Sequence, residues 1–286
     1  MLLRIGAPFV VVVAAAGCAG TVSTASEDAE PTATTNALLV VERVTDPAEG
    51  TRAEASARFV RAASPSSPEE ALQSVGAALN LPARGACASI ASLSGAFAPT
   101  EPAPAVELVD VGTVSIETGS VQTALNARQL PDVTDVVSGI IYARAADPTL
   151  FPADTRYIIH VDGRGAVAGF DVLVSAPSDP SDVHFDGSEV QGPVGIDKST
   201  VDLSWSPSGA PDIVYVDVLP GSTRCVLAGE VSSLDSLVHA SLSASLLADS
   251  GTVVVHRLRT EPLRAPGLGS GEVRFDFARS VAYVHR

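Results

Sequence analysis

Alternation with a period of two dominates the C-terminal half of this 286-residue chain. Val201, Leu203 and Trp205 recur at every second position, as do Val214, Val216 and Val218. Val273, Phe275 and Phe277 alternate with Glu272, Arg274 and Asp276. Successive side chains of a strand point to opposite faces, so these runs describe half-buried strands of antiparallel sheets. The N-terminal half carries shorter pieces: ALLVVERV from Ala37, Glu54 to Arg61, VELVDVGTVSIE broken at Gly112, Asp135 to Ala143 around Gly139, and RYIIHVDG. Asp46 to Gly50 and Asp162-Gly163 carry hairpin-turn chemistry. Strands do not alternate with helices, as a parallel sheet with crossover helices requires. One short helix is predicted over 68–79, with Ser67 as cap, Pro68, Glu69 and Glu70 in the first turn, and Leu72, Val75 and Leu79 on one face. The expected fold is therefore mainly β, two antiparallel β-sandwich-like domains with one short helix in the N-terminal half.

The first twenty residues set a second constraint. Arg4 precedes a compact apolar run, Ile5 to Ala16, that ends in Ala15-Ala16-Gly17-Cys18. A positive start, a short apolar core and small residues at the cut make a secretory signal, and the core is too short to span a bilayer. The cysteine after the small residues resembles the lipobox of bacterial lipoproteins. That resemblance implies cleavage before Cys18 and lipidation of its sulfur. Several acyl chains hold a protein stably at a membrane, where one holds it weakly. Ala19, not Asp, follows the cysteine; by the same resemblance this points to the outer membrane. Residues 19–36 are rich in Thr, Ser and Ala and bury too little apolar area to order themselves. The expected organisation is a signal peptide at 1–17, a disordered tether at 18–36, a β-rich domain at 37–178 and a second sandwich at 179–286. The Pro/Ser/Asp-rich stretch 175–182 marks the internal boundary.

Trp205, Pro207, Pro211, Asp212 and Tyr215 lie in VDLSWSPSGAPDIVYVDVL. This stretch resembles the second and third strands of fibronectin type III or immunoglobulin-like domains. The resemblance implies such a sandwich in the C-terminal half. Cys225 and the strands after it depart from the fibronectin pattern, and no later tyrosine corner is evident.

The formal charge is −15, with Lys198 the single lysine, so the chain lacks the basic footprint of a nucleic-acid binder. With Cys18 lipidated, Cys87 and Cys225 remain. In an oxidising compartment they form either a disulfide across a long loop or two separate buried thiols. No Cys-x-x-Cys and no zinc spacing occurs.

Catalytic motifs are missing. There is no Gly-x-Ser-x-Gly elbow and no Ser-x-x-Lys with its companions. His160, His184, His239, His256 and His285 form no metal-binding pair. Asp179, Asp182 and Asp186 share a loop, but their spacing is not that of a calcium loop, and turn capping accounts for them. Gly267 to Gly271 precedes a strand and reads as a turn. Arg257 and Arg259, with Arg264 nearby, form the basic cluster of a late strand and read as surface arginines. No catalytic residue, metal or cofactor is nominated. The expected function is a lipid-anchored cell-envelope protein with a non-catalytic binding, adhesion or scaffolding role and a protein or glycan partner. Its working loops are Pro207 to Asp212 and Ser178 to Gly187. The alternative is an envelope hydrolase, marked by a cleft holding His160 or His184 beside two carboxylates.

Overall fold

In the computed structural model the chain is described over residues 34–62, 75, 78–95, 106–133, 137–189, 193–196, 199–207, 212–231 and 233–286. All belong to one unit, Ala33–Arg286. The first strands are β1 (Thr35–Asp46), β2 (Gly50–Ala62) and β3 (Cys87–Ser89), followed by a short helix, α1 (Ile90–Gly95). Then come β4 (Val106–Leu108), β5 (Val114–Thr118), β6 (Val121–Ala124), β7 (Asn126–Val133), β8 (Val137–Ala146), β9 (Arg156–Val161) and β10 (Phe170–Ser175). The remainder holds β11 (His184–Phe185), β12 (Ser188–Glu189), β13 (Val194–Ile196), β14 (Thr200–Trp205), β15 (Ile213–Leu219) and β16 (Thr223–Val226). It ends with β17 (Glu230–Val231), β18 (Val238–Ser243), β19 (Ser250–Pro262) and β20 (Leu268–His285). The fold is mainly β, as the alternation requires.

Most of these strands join one eleven-stranded sheet, in the order β3-β16-β15-β19-β20-β1-β2-β4-β8-β7 with β13 beside β20. Two smaller sheets, β10-β9-β5-β6 and β12-β11-β14-β18-β17, pack on it. Five odd-numbered residues of β20 are buried beneath them. Val273, Phe275 and Phe277 enter one core with Leu39 and Val41 of β1, Ala55 and Ala57 of β2, and Ile116, Tyr157 and Ile159 of the four-stranded sheet. Val281 and Tyr283 enter a second core with Val216, Val255, Leu203 and Trp205. Two sandwich-like cores thus lie side by side on one face of a shared sheet. Burying a large apolar side chain is worth roughly 1.5–3 kcal/mol, so the long β19–β20 hairpin stabilises both halves at once.

Several local expectations change. Ordered chain begins earlier than residue 37: Thr35 and Asn36 lie in β1 and are 2% and 5% exposed. Not every pairing is antiparallel, since β1 runs parallel to β20, β13 to β20 and β4 to β8. The β1–β20 partners are separated by almost the whole chain, and strand periodicity carries no information about such a pairing. The β9–β10 hairpin forms with Phe170 opposite Val161, so its loop is 162–169 and not a two-residue turn at Asp162-Gly163. Gly163 is needed there for close approach, because its Cβ would sit 2.1 Å from the Gly169 nitrogen. The helix predicted over 68–79 falls mostly outside the described residues.

The segment at the 178/179 boundary is gripped by arginines on the inner face of the shared sheet. Arg43, Phe277 and Arg257 stand in register across β1, β20 and β19. Arg43 Nε donates to Asp179 Oδ2 at 3.0 Å. Arg257 donates to Ser178 Oγ, to Asp182 Oδ1 at 3.4 Å and to the Ser206 carbonyl at 3.3 Å. Arg259 forks onto Asp212 at 2.7 and 2.9 Å and donates to the Ser175 and Ala176 carbonyls at 3.1 Å. Arg257 is 2% exposed, so the surface reading of this arginine is corrected. Odd positions of β19 face inward, and burying a guanidinium there is costly unless acceptors surround it.

Candidate functional site

The second sandwich is open at one end, where β14 and β15 diverge. Trp205 closes β14 on its inward face, and Val214 and Leu227 approach from the shared sheet. Between them runs a groove of about 550 Å³. Trp205, Val214 and Val226 line it, and its exposed edge includes Pro207, Ile213 and Val231. Ile213 and Val231 are 40% and 64% exposed. Gly229 lets the chain press onto the indole: an added Cβ would stand 3.0 Å from Trp205 Cζ2 and 2.3 Å from Val238 Cγ1. Leu234, between β17 and β18, is 97% exposed.

The facing wall is the segment before β3, which contributes Leu81, Pro82 and Arg84. It runs alongside β16. Gly85 N donates to the Val226 carbonyl at 2.8 Å, and Val226 N to the Ala86 carbonyl at 3.1 Å. Cys87 stands opposite Cys225 in the β3–β16 pairing, and their sulfurs are bonded at 2.05 Å. Cys225 is 2% exposed and sits in the second core. The wall is therefore fixed by backbone ladder and covalent bond together.

The groove offers little chemistry. Its one carboxylate among the described residues, Asp212, has a side chain only 1% exposed and is neutralised by Arg259. Its one cation among them is Arg84, on the rim, with Nη2 3.4 Å from the Gly229 carbonyl. Among the described residues, no serine, cysteine, histidine or glutamate lines it. It can bind, by apolar contact and a single positive charge. Of the two loops expected to face a ligand, Pro207 and Asp212 reach this groove, with 208–211 outside the described residues. Ser178 to Gly187 does not line it; its described carboxylates are held within the fold, although Asp179 Oδ1 is buried without a partner. Asp179 and Asp182 pair with Arg43 and Arg257, and Asp186 Oδ1 accepts from Asp202 N at 3.1 Å. Arginines and turn geometry hold these three carboxylates, and no metal-binding cluster occurs among the described residues.

The other face of the shared sheet carries a polar ladder set by register. Arg224 lies opposite Asp217, Tyr215 opposite His256, and Asp276 and Glu54 both opposite Glu42. Arg224 grips Asp217 with two bonds of 2.7 Å, and its guanidinium lies 4.9 Å from the centre of the Tyr215 ring. The imidazole of His256 stacks on that ring at 4.2 Å, and its Nδ1 is 2.9 Å from Asp276 Oδ1. The Tyr215 hydroxyl donates to Asp276 Oδ2 at 2.6 Å. Burial pushes the Asp276 carboxyl upward, yet its bonds to His256 and Tyr215 and the nearby Arg224 outweigh that and hold it below the ordinary value. Glu42 behaves oppositely: burial, then the Asp276 and Glu54 charges, raise it. Burial and Asp276 raise the Tyr215 phenol. A recess of about 280 Å³ opens beside His256, lined by Glu42, Glu54 and Arg52 and, among the described residues, by no hydroxyl or thiol. His256 is thus an oriented, packed member of the ladder.

His160 does sit beside two carboxylates, with Nδ1 2.7 Å from Asp171 Oδ1 and Nε2 3.2 Å from Glu117 Oε2. The bond to Asp171 raises the imidazole above its ordinary value. The trio lies on the outward face of the four-stranded sheet, with the Asp171 side chain 71% exposed, and not in the cleft a hydrolase requires. His184 pairs in register with Ser204 and Glu189. Sequence reasoning found Trp205, Pro207 and Asp212 but missed Leu81, Arg84 and Val231. The signal for Val231 was present: apolar residues stand out in the Ser/Asp-rich stretch VSSLDSL.

No protein-family model and no curated protein matches the chain. Among solved structures it is similar to the full ectodomain (Ig1–Ig3) of mouse nectin-like molecule 4, at 9% identity and a TM-score of 0.23, covering 88% of this chain and 65% of that one. It is similar to a chimeric titin Z1Z2 carrying an exogenous decorin peptide, at 11% identity and a TM-score of 0.19, over 89% and 97% of the two chains. A third is the Danio rerio Fcho1 Mu homology domain with bound Eps15 peptide, at 10% identity and a TM-score of 0.19, over 89% and 97%. The chain thus spans about 65% of the nectin-like ectodomain. Scores this low carry no argument about fold or function.

Proposed function

We propose that this chain is a non-catalytic binding module of the cell envelope, anchored by lipid on Cys18 and presenting the groove beside Trp205 to its ligand. The observation that supports the reading is the groove's composition: a volume of about 550 Å³ lined mainly by apolar residues, without a catalytic pair among the described residues. Volumes of roughly 300–1,000 Å³ suit ligand recognition. The Ala15-Ala16-Gly17-Cys18 motif supports the anchor, and Ala19 favours the outer membrane.

Two measurements on the native protein test this reading. A photoreactive phenylalanine analogue placed at Val231, on the groove rim, is compared with one at Leu173, which is 61% exposed on the four-stranded sheet. A discrete adduct in cells from position 231 alone is expected. Adducts from neither position, or equally from both, refute the groove as the working surface. Intact mass is expected to lack residues 1–17 and to carry acyl groups. A mass without acyl groups refutes the anchor.

A further inference from the structure

We infer that the groove takes the single acyl chain of an anionic amphiphile, with its carboxylate head at Arg84. This rests on the reading of the groove as a binding site and narrows it to one ligand class. The lining is mainly apolar, through Leu81, Trp205, Val214 and Val226. A sugar laid there leaves its hydroxyls without partners, at a cost of roughly 1–3 kcal/mol for each buried group. An alkyl chain meets no such penalty and gains roughly 0.8 kcal/mol for each methylene removed from water.

The head group is chosen by charge. Among the described residues Asp212 is the groove's one carboxylate, and Arg259 occupies both its oxygens, so it neither attracts a cation nor repels an anion strongly. Arg84 is exposed on the rim and, among the described residues, pairs with no carboxylate; its contact is the Gly229 carbonyl at 3.4 Å. A guanidinium beside an apolar trough fits a carboxylate that trails an alkyl chain. In a chain of net charge −15, this locally positive rim sets the preference against the overall field.

The reporter is built in, because Trp205 is the only tryptophan of the chain and lines the groove. The full chain is titrated, below micelle formation, with decanoate, decanol and decyltrimethylammonium while Trp205 emission is followed. Saturable binding of decanoate is expected, tighter than the cationic probe by about two- to fivefold, the range of an exposed ion pair. Arg84→Gln is expected to erase that difference while leaving decanol binding unchanged. Ile213→Asp is expected to weaken all three. Equal or tighter binding of the cation, or unchanged decanoate affinity in Arg84→Gln, overturns the head-group assignment and with it the inference. Absence of any saturable change also overturns it. If the crosslinker at Val231 still yields a discrete protein adduct in that case, the binding-module reading stands with a protein occupant. If no adduct forms either, both fail.

Discussion

Removing the Arg257 side chain tests whether the arginine grip on the 175–183 segment holds the two halves together. The guanidinium is buried, and it donates to Ser178 Oγ, Asp182 Oδ1 and the Ser206 carbonyl. Arg257→Ala deletes these bonds and opens a void between the two cores. Each charge-assisted bond is worth about 1.5–3 kcal/mol, but burial of the guanidinium is relieved at the same time. Breaking one side of a buried ion pair costs roughly 3–5 kcal/mol. The low end applies, because Asp182 remains 31% exposed and still accepts from Ser206 N at 2.7 Å. The expected loss is about 3 kcal/mol, which lowers the Tm by roughly 6–12 °C in a unit of this size. Arg257→Met keeps most of the volume but deletes the same bonds, so it is expected to lose nearly as much, about 2 kcal/mol. Urea unfolding followed by circular dichroism measures both. It is expected to show one transition, since β19 and β20 serve both cores. A loss below about 1 kcal/mol for Arg257→Ala, or a loss in Arg257→Ala with Arg257→Met at wild-type stability, refutes the electrostatic account of the grip.

Three other outcomes are expected. Replacing Cys87 and Cys225 together by serine opens a link across 138 residues, and urea unfolding is expected to show a loss of up to about 4–5 kcal/mol; wild-type stability in the double variant refutes the role of the bond. Glu42 has a folded-state pKa above its unfolded value, so it disfavours the folded state increasingly as pH rises through the folded value. Glu42→Gln is therefore expected to stabilise by less than about 1 kcal/mol at pH 7 and by nothing at pH 3.5, read as urea midpoints; a stability gain that shrinks as pH rises contradicts this sign. Gly229→Ala forces a methyl against Val238 and the Trp205 ring. It is expected to cost about 1–3 kcal/mol and to shift Trp205 emission; an unshifted spectrum at full stability means the loop does not press on the indole.

Strand existence and facing were legible in the chain because burial on one side imposes a period of two. Val273, Phe275 and Phe277 point inward while Arg274 and Asp276 stand on the polar ladder, as their spacing requires. Trp205 and Asp212 were legible as members of a working end, for local turn chemistry surrounds them. Arg257 was not, because a charged residue at an inward position reads as surface until its acceptors are known. Those acceptors lie 51 to 79 positions away. Asp179 misled in the same way: a carboxylate in a Ser/Pro/Asp loop looks like a turn or cation ligand, and Arg43 at a separation of 136 occupies it.

The sequence by itself determined a mainly β chain, the faces of its strands, the short polar turns and the motif at Cys18, all of which rest on interactions within a few residues. Only the tertiary structure decided that β1 lies parallel to β20, that one sheet serves two cores and that Cys87 meets Cys225. It also decided that the 81–84 segment walls the groove opposite Trp205. These depend on which distant strands pair. That choice is governed by the summed burial of whole faces, a quantity that exists only after the chain has closed on itself.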